Sequence, residues 1–336
     1  MTMTENVIDG KWCSGSPAQP CNVSRRDFLK VGTAAFGGLA AASALPALAD
    51  DPSLFPCRGR WERLSIVSQH VTAGASKPFS ILHISDTHLT AAYPDEAEGV
   101  RVRAKNRSRT FGGRQEEALR DTLAWAKQHV DYVVHTGDMI DFQSRANFDL
   151  VRKYYGEGGA HMLGCLGNHE YFHGQKAENE ETKGETRSVV AAAFSFDISV
   201  DSQVVNGVNF VTIDNVYGPI TEAQMGRLEK EFWKGLPVVM CMHCPLVTKN
   251  ILRAGRKFWS KDRPKTVPDV SRYKEATADV DATFMDYKNW LKAQPLLKCI
   301  LAGHIHVSVS DRFSPTCVEH VVGGNFLFHG QEISIS

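Results

Sequence analysis

Phe79-Ser80-Ile81-Leu82-His83-Ile84 runs directly into Ser85-Asp86-Thr87-His88. Apart from Ser80, the first six residues are bulky or apolar, which reads as a short buried strand. Just beyond it stand a carboxylate and an imidazole one residue apart, two donors that suit a metal of borderline hardness. The arrangement recurs downstream. Tyr132–His135 leads into Thr136-Gly137-Asp138-Met139-Ile140-Asp141, and His161–Leu166 into Gly167-Asn168-His169-Glu170. Pro237–Met242 ends at His243, and Leu297–Leu301 runs into Ala302-Gly303-His304-Ile305-His306. Five strand ends thus carry Asp, Asn and His. In α/β sheets, ligands gather at the carboxyl ends of strands.

Working outward, apolar residues at Leu119, Leu123, Ala126 and Val130 predict a helix over Gln115–Val130 with its charges on the opposite face. Ala146–Tyr155, Thr221–Trp233 and Asp281–Ala293 read as further helices, Val208–Ile213 as a strand, and Val307–Ile335 as strand-like. Alternating β and α units followed by more β predict a layered α/β architecture with a pair of sheets inside. Two segments resist the pattern: Thr90–Gly113 is polar, and Pro245–Thr277 is long, basic and irregular. Loops of that length are functional or disordered.

Two divalent ions about 3.5–4 Å apart need a bridging carboxylate, and together they activate a water and clamp phosphoryl oxygens. The mixture of imidazole, carboxylate and amide donors fits such a pair. Gly137, Gly167 and Gly303 let the backbone turn tightly beside it. Taken singly, a His or Asp at a strand end is a structural residue, and His83, His135, His161 and His320 are read that way. His173 either lines the mouth of the site or is structural. The alternation Arg101, Arg103, Lys105, Arg107, Arg109 reads as a solvated loop rather than a phosphate clamp.

Asp-x-His, Gly-Asp-x-x-Asp, Gly-Asn-His-Glu, a lone His and Gly-His-x-His, in that order from Asp86 to His306, resemble the calcineurin-like metallophosphoesterase superfamily. The resemblance implies a four-layer α/β/β/α sandwich of the metallo-dependent phosphatase type, with the site between the sheets. It implies that Asp86, His88 and His306 hold one metal and Asn168, His243 and His304 the other, with Asp138 bridging. His169 would act beside the leaving group, oriented by Asp141. The nucleophile would be a metal-bridging hydroxide attacking a phosphomonoester or phosphodiester in line. Manganese, iron and zinc all fit a nitrogen and oxygen site of this kind. Some relatives carry Arg after the second Asp of their motif; Phe142 stands there in this chain, which leaves the substrate-side phosphate contact unassigned.

The chain has 336 residues, 38 basic and 38 acidic, so its charge gives no reason to expect a polyanion partner. That weighs against an exported nuclease, and the complete donor set weighs against a non-catalytic scaffold. A small anionic phosphoester is the expected substrate. Local charge is another matter. Lys249, Arg253, Arg256, Lys257, Lys261, Arg263 and Lys265, with Phe258, Trp259 and Tyr273 among or near them, form either a basic cap over residues 245–277 that attracts substrate or a solvated loop.

Ser24-Arg25-Arg26-Asp27-Phe28-Leu29-Lys30 resembles a twin-arginine export signal and precedes an uncharged run from Val31 to Ala49. Ala47-Leu48-Ala49 suits a signal peptidase, so residues 1–49 are expected to be removed and 50–336 to form a single metallophosphoesterase domain that is not membrane-embedded. The twin-arginine machinery is then a partner, and the mature protein periplasmic or secreted. Cys165, Cys241 and Cys299 sit in apolar runs and read as small core residues, while pairing among these, Cys57, Cys244 and Cys317 stays open.

Overall fold

Parallel strands that begin together also end together, and that fact places the site. The computed structural model describes residues 62–156, 162–173, 178–260 and 282–336. The proposed leader, His161, Cys57 and the later part of the basic segment lie outside the described residues. In chain order the elements are β1 (Ser65–Val71), β2 (Phe79–Ile84), α1 (Glu98–Thr110), α2 (Gln115–His129), β3 (Tyr132–Thr136), α3 (Arg145–Tyr155) and β4 (Met162–Cys165). Next come α4 (Glu180–Ala191), β5 (Val200–Val205), β6 (Val208–Ile213), α5 (Glu222–Trp233), β7 (Val238–Cys241), α6 (Lys249–Ser260), α7 (Ala282–Lys292), β8 (Leu297–Ala302), β9 (Val309–Ser314), β10 (Cys317–Val321) and β11 (His329–Ile335). Short 3₁₀ turns cover His169–Tyr171 and Asn325–Leu327.

The strands form two sheets, ordered β1-β11-β2-β3-β4 and β5-β6-β7-β8-β10-β9. β2, β3 and β4 run parallel, with Ile84 opposite His135 and Thr136 opposite Cys165. β6, β7 and β8 also run parallel, with Cys241 opposite Leu301. The loops leaving β2, β3 and β4 therefore start side by side, as do those leaving β7 and β8.

Side-chain alternation separates the layers. Ile81 and Val134 of the first sheet and Phe210, Val239, Cys241, Cys299 and Leu301 of the second share one core between the sheets. Their neighbours Leu82, Ile84 and Val133 face outward onto Leu119 and Leu123 of α2 and Val151 of α3. Val238, Met240 and Ile300 face the opposite way, onto Leu228 of α5, Ile251 of α6 and Leu291 of α7. Helix, sheet, sheet and helix are the expected four layers. The inner strands of both sheets are buried on both faces, which is why they read as continuous apolar runs rather than alternating ones.

Both irregular segments contain helices. Thr90–Gly113 holds α1, and Pro245–Thr277 holds α6 in its described part. None of the thirteen residues of α1 is buried, so no apolar stripe marked it. In α6, Ile251 is buried, and a Cβ at Gly255 would stand 3.8 Å from Ile305. β1, β5 and α4 also went unpredicted; the first two are half-exposed strands flanking their sheets. Among the described residues no helix is long and apolar enough to cross a membrane. Cys165, Cys241, Cys299 and Cys317 are buried free thiols and Cys244 is a partly buried one. Cys241 packs in the inter-sheet core, as a small hydrophobe does.

One buried group works against stability. Glu319 on β10 is fully buried; Oε1 accepts from Leu246 N at 2.7 Å, and Oε2 has no hydrogen-bond partner. Burial pushes its carboxyl up to about 8. A carboxyl held above its unfolded value favours the fold fully below that value, near 4.5, and the advantage is lost as pH rises through about 8. Unfolding midpoints of Glu319→Gln against wild type should show this: the wild type loses stability across that window and the variant loses less. Parallel pH profiles would refute the assignment.

Candidate metal centre

Five of the predicted donors sit where L-residues rarely do. Asp86 (φ 54°), His88 (46°), Asp138 (55°), His304 (68°) and His306 (56°) are all left-handed. Each costs about 1–3 kcal/mol and persists only where the surroundings enforce it. The enforcement is visible: Asp86 N donates to Gly137 O at 2.9 Å, His88 N to Asp138 O at 2.9 Å, and His304 N to Asp86 Oδ2 at 3.0 Å. Reversing the chain immediately after a strand turns these side chains into the space between the two sheet ends. Gly137 (φ +90°) makes such a turn itself. Gly303 serves differently from the expectation. Its φ is not left-handed, but a Cβ there would overlap Ser85 Oγ and come within 2.7 Å of Asp86 Oδ2, so its part is close approach.

The donor atoms converge in two groups. Asp86, His88 and His306 place ligand atoms within 4.8 Å of one another, and so do Asp138, His243 and His304. His306 Nε2 is 3.3 Å from Asp86 Oδ1 and 3.2 Å from His88 Nε2. His243 Nε2 is 3.2 Å from Asn168 Oδ1 and 3.1 Å from His304 Nδ1. Asp138 joins the two: its Oδ2 lies 3.3 Å from His243 Nε2 and 3.7 Å from His88 Nε2. All seven predicted donors are therefore together, each on the loop the sequence assigned it.

The surrounding hydrogen bonds fix which atom faces inward. His243 donates from Nδ1 to Thr136 O at 2.7 Å, and His88 from Nδ1 to Asp141 Oδ1 at 3.1 Å, leaving both Nε2 atoms aimed at the centre. Asn168 donates from Nδ2 toward Glu178 Oε2 at 3.4 Å, which turns its Oδ1 inward. Asp86 Oδ1 is fully buried and has no hydrogen-bond partner. Imidazole nitrogens about 3 Å apart, beside a buried carboxylate oxygen that accepts no hydrogen bond, call for positive charge among them, and their nitrogen and oxygen donors fit divalent metal.

Charge tells the same story. Burial opposes ionisation at Asp86, but His306 and His243 outweigh it and hold the carboxyl well below the usual range. Asp138 is held low in the same way by His243 and His169. Burial disfavours a charged His243, yet Asp138 and Asp86 raise it to about 9. With Nδ1 committed to Thr136, the extra proton would sit on Nε2, facing Asn168 and Asp138. It marks where the site calls for positive charge.

His169 stands to one side, donating from Nδ1 to the Asp141 carbonyl at 2.8 Å, with Asp141 Oδ1 at 3.3 Å. Asp141 thus meets His169 mainly through its backbone, while its carboxylate bonds His88. His88, Asp138 and His169 also form a third group with donor atoms within 4.8 Å. His83 and His135 are buried and bonded to Thr136 and Thr87, and burial pulls each down to about 3, as structural histidines. His320 pairs with Ser310 Oγ at 2.7 Å, and His173 is exposed.

Several contributors escaped the sequence reading. Glu170, quoted only as part of its motif, is fully buried and accepts from Gly167 N (2.6 Å), Asp138 N and Ile140 N (both 3.0 Å), tying the β3 and β4 loops together. Asn215 Oδ1 accepts from His243 N at 3.2 Å and Cys244 N at 3.1 Å, fixing the end of β7. Arg107 does not belong to a solvated loop: it lies on α1 and bonds Asp141 twice. Only Glu170 had a local signal, its adjacency to His169; the others depend on folding.

Two sheets delivering Asp, Asn and His from five strand ends to one buried cluster define a metal-dependent phosphoesterase. The calcineurin-like phosphoesterase family model matches residues 79–308, and the chain belongs to that family. Solved structures with a similar fold include a dimetal phosphatase from Danio rerio, at 14% identity and TM-score 0.43, covering 76% of this chain and 91% of that one. A purple acid phosphatase from yellow lupin (Lupinus luteus) seeds aligns at 13% identity and TM-score 0.48 over 75% of this chain and 45% of its own. A 5'-nucleotidase from Candida albicans aligns at 12% identity and TM-score 0.35, over 79% of this chain and 48% of its own. No curated protein matches the chain in sequence.

Proposed function

We propose that the protein hydrolyses small anionic phosphomonoesters or phosphodiesters with two divalent ions. Asp86, His88 and His306 would hold one ion, Asn168, His243 and His304 the other, and Asp138 would contact both. The placement of Asp138 Oδ2, within 3.7 Å of His88 Nε2 and 3.3 Å of His243 Nε2, carries this reading. When bound, the ions supply activation of a water and neutralisation of phosphoryl oxygens. The chain's own residues hold and orient. Asp141 and Thr136 keep the two imidazoles turned inward, and His169 presents Nε2 toward the leaving group as acid or charge stabiliser. The donor set of nitrogen and oxygen accommodates manganese, iron or zinc.

The test is a panel of a chromogenic monoester, a chromogenic diester and single-stranded DNA, before and after chelation and with manganese restored. Ester hydrolysis that disappears with the metal and returns with manganese is expected. Full activity with no metal left by elemental analysis would overturn the mechanism, and cleavage of DNA alone would favour a nuclease. Export by the twin-arginine route is part of the proposal and rests on Arg25, Arg26 and the uncharged run to Ala49. Mature protein from outside the cytoplasm should begin at Asp50, and unimpaired export after changing both arginines to Lys would refute the route.

A further inference from the structure

The geometry points to Arg107 as a positioning residue that locks His88 into the metal-binding attitude; the inference rests on the two-ion reading above. Arg107 Nε donates to Asp141 Oδ2 at 2.6 Å and Nη2 donates to Oδ1 at 2.7 Å, a two-pronged contact that fixes the plane of the carboxylate. Asp141 is fully buried, and its Oδ1 is the atom that accepts from His88 Nδ1 at 3.1 Å. With that plane fixed, the imidazole has one acceptor in one place, and Nε2 points toward Asp86, His306 and Asp138.

The same turn of α1 grips the ring from a second side. Phe111 closes the helix, with its N–H bonded to Arg107 O at 3.2 Å. Its ring stacks on His88 at 4.3 Å between centroids and 13° between planes. The Arg107 guanidinium lies 5.0 Å from the centre of the Phe111 ring. One helix end therefore holds both the edge and the face of His88. None of this belongs to a strand-end motif: Arg107 comes from an exposed helix, and Phe142 occupies the position after Asp141. Asp138 and the His243 group are not touched by these contacts, so the effect should fall on one ion.

Metal-free full-length protein is titrated with manganese against a competing chelator, for wild type, Arg107→Gln, Arg107→Lys and Arg109→Gln. Loss of an outer partner of a metal ligand weakens binding about 10–100-fold. Arg107→Gln should weaken one of two manganese equivalents by about that factor and leave the other unchanged. Arg107→Lys, which keeps the charge without the fork, should fall between. Arg109→Gln, at a side chain that bonds Asn106 on the same helix, should match wild type and controls for damage to α1. Two unchanged affinities in Arg107→Gln, or equal weakening of both, would overturn the inference. Should Arg107→Gln not fold, unaltered affinities in Arg107→Lys would overturn it. A wild type that takes up fewer than two ions would overturn the two-ion reading and this inference with it. Two ions bound without ester hydrolysis would overturn the proposed reaction alone, because the affinity comparison still decides the role of Arg107.

Discussion

Asp138→Asn should abolish turnover by several orders of magnitude and strip the protein of metal, although the two side chains have the same shape. The reason lies in where its two oxygens point. Oδ1 accepts from His169 N at 2.9 Å, so an amide at this position keeps its oxygen there. Its NH₂ must then occupy the place of Oδ2, facing His243 Nε2 at 3.3 Å and His88 Nε2 at 3.7 Å. Two N–H bonds would be directed into the space where a cation belongs, and the carboxylate between the two groups would lose its charge. A bridging anion has no substitute among the described neighbours, since Asp86 serves the first group and Asn168 is neutral. Fold stability should change much less, because Asp138 N and Gly167 N remain bonded to Glu170. Elemental analysis, kcat/KM and a melting curve on one preparation decide the matter. Two ions retained at near wild-type turnover would refute the bridging role proposed for Asp138.

The convergence of the candidate metal donors was legible because each follows a strand, and a strand end fixes a side chain in space better than a loop does. Asp86, Asp138, Asn168, His243 and His304 lie two or three residues beyond Ile84, Thr136, Cys165, Cys241 and Ala302, so the parallel register brings them together. The same logic made the inner strands readable, since each is apolar on both faces. It failed where burial is partial or absent. β1 is mostly exposed along one face, and α1 buries no residue, so neither left a period in the sequence. Arg107 was hidden for that reason. Its contact with Asp141 spans 34 positions, and nothing in an alternating run of arginines distinguishes the one that reaches a buried carboxylate. Asn215 was equally invisible, acting on a donor that arrives from a different strand, and Glu178 reaches Asn168 from ten residues further along the same connection.

His169→Ala should separate chemistry from metal binding. The imidazole is held by its Nδ1 donation to the Asp141 carbonyl at 2.8 Å, which leaves Nε2 to meet an oxygen of substrate or an ion. Burial disfavours its charge, but Asp138, Asp141 and Glu178 outweigh burial and raise it to about 9, so in the metal-free protein it carries a proton at neutral pH. General acid work beside a departing oxygen contributes about 10²–10⁴-fold, and turnover should fall by that amount. The fall should be steepest for esters of poor leaving groups, whose oxygen most needs the proton, and shallow for a nitrophenyl ester. Metal content should stay at the wild-type value, because the two donor groups of Asp86, His88 and His306 and of Asp138, His243 and His304 are complete without it. The grouping of His88, Asp138 and His169 supplies the rival outcome. Were His169 a ligand, its removal would cost metal as severely as His243→Ala, and the loss of rate would not depend on the leaving group.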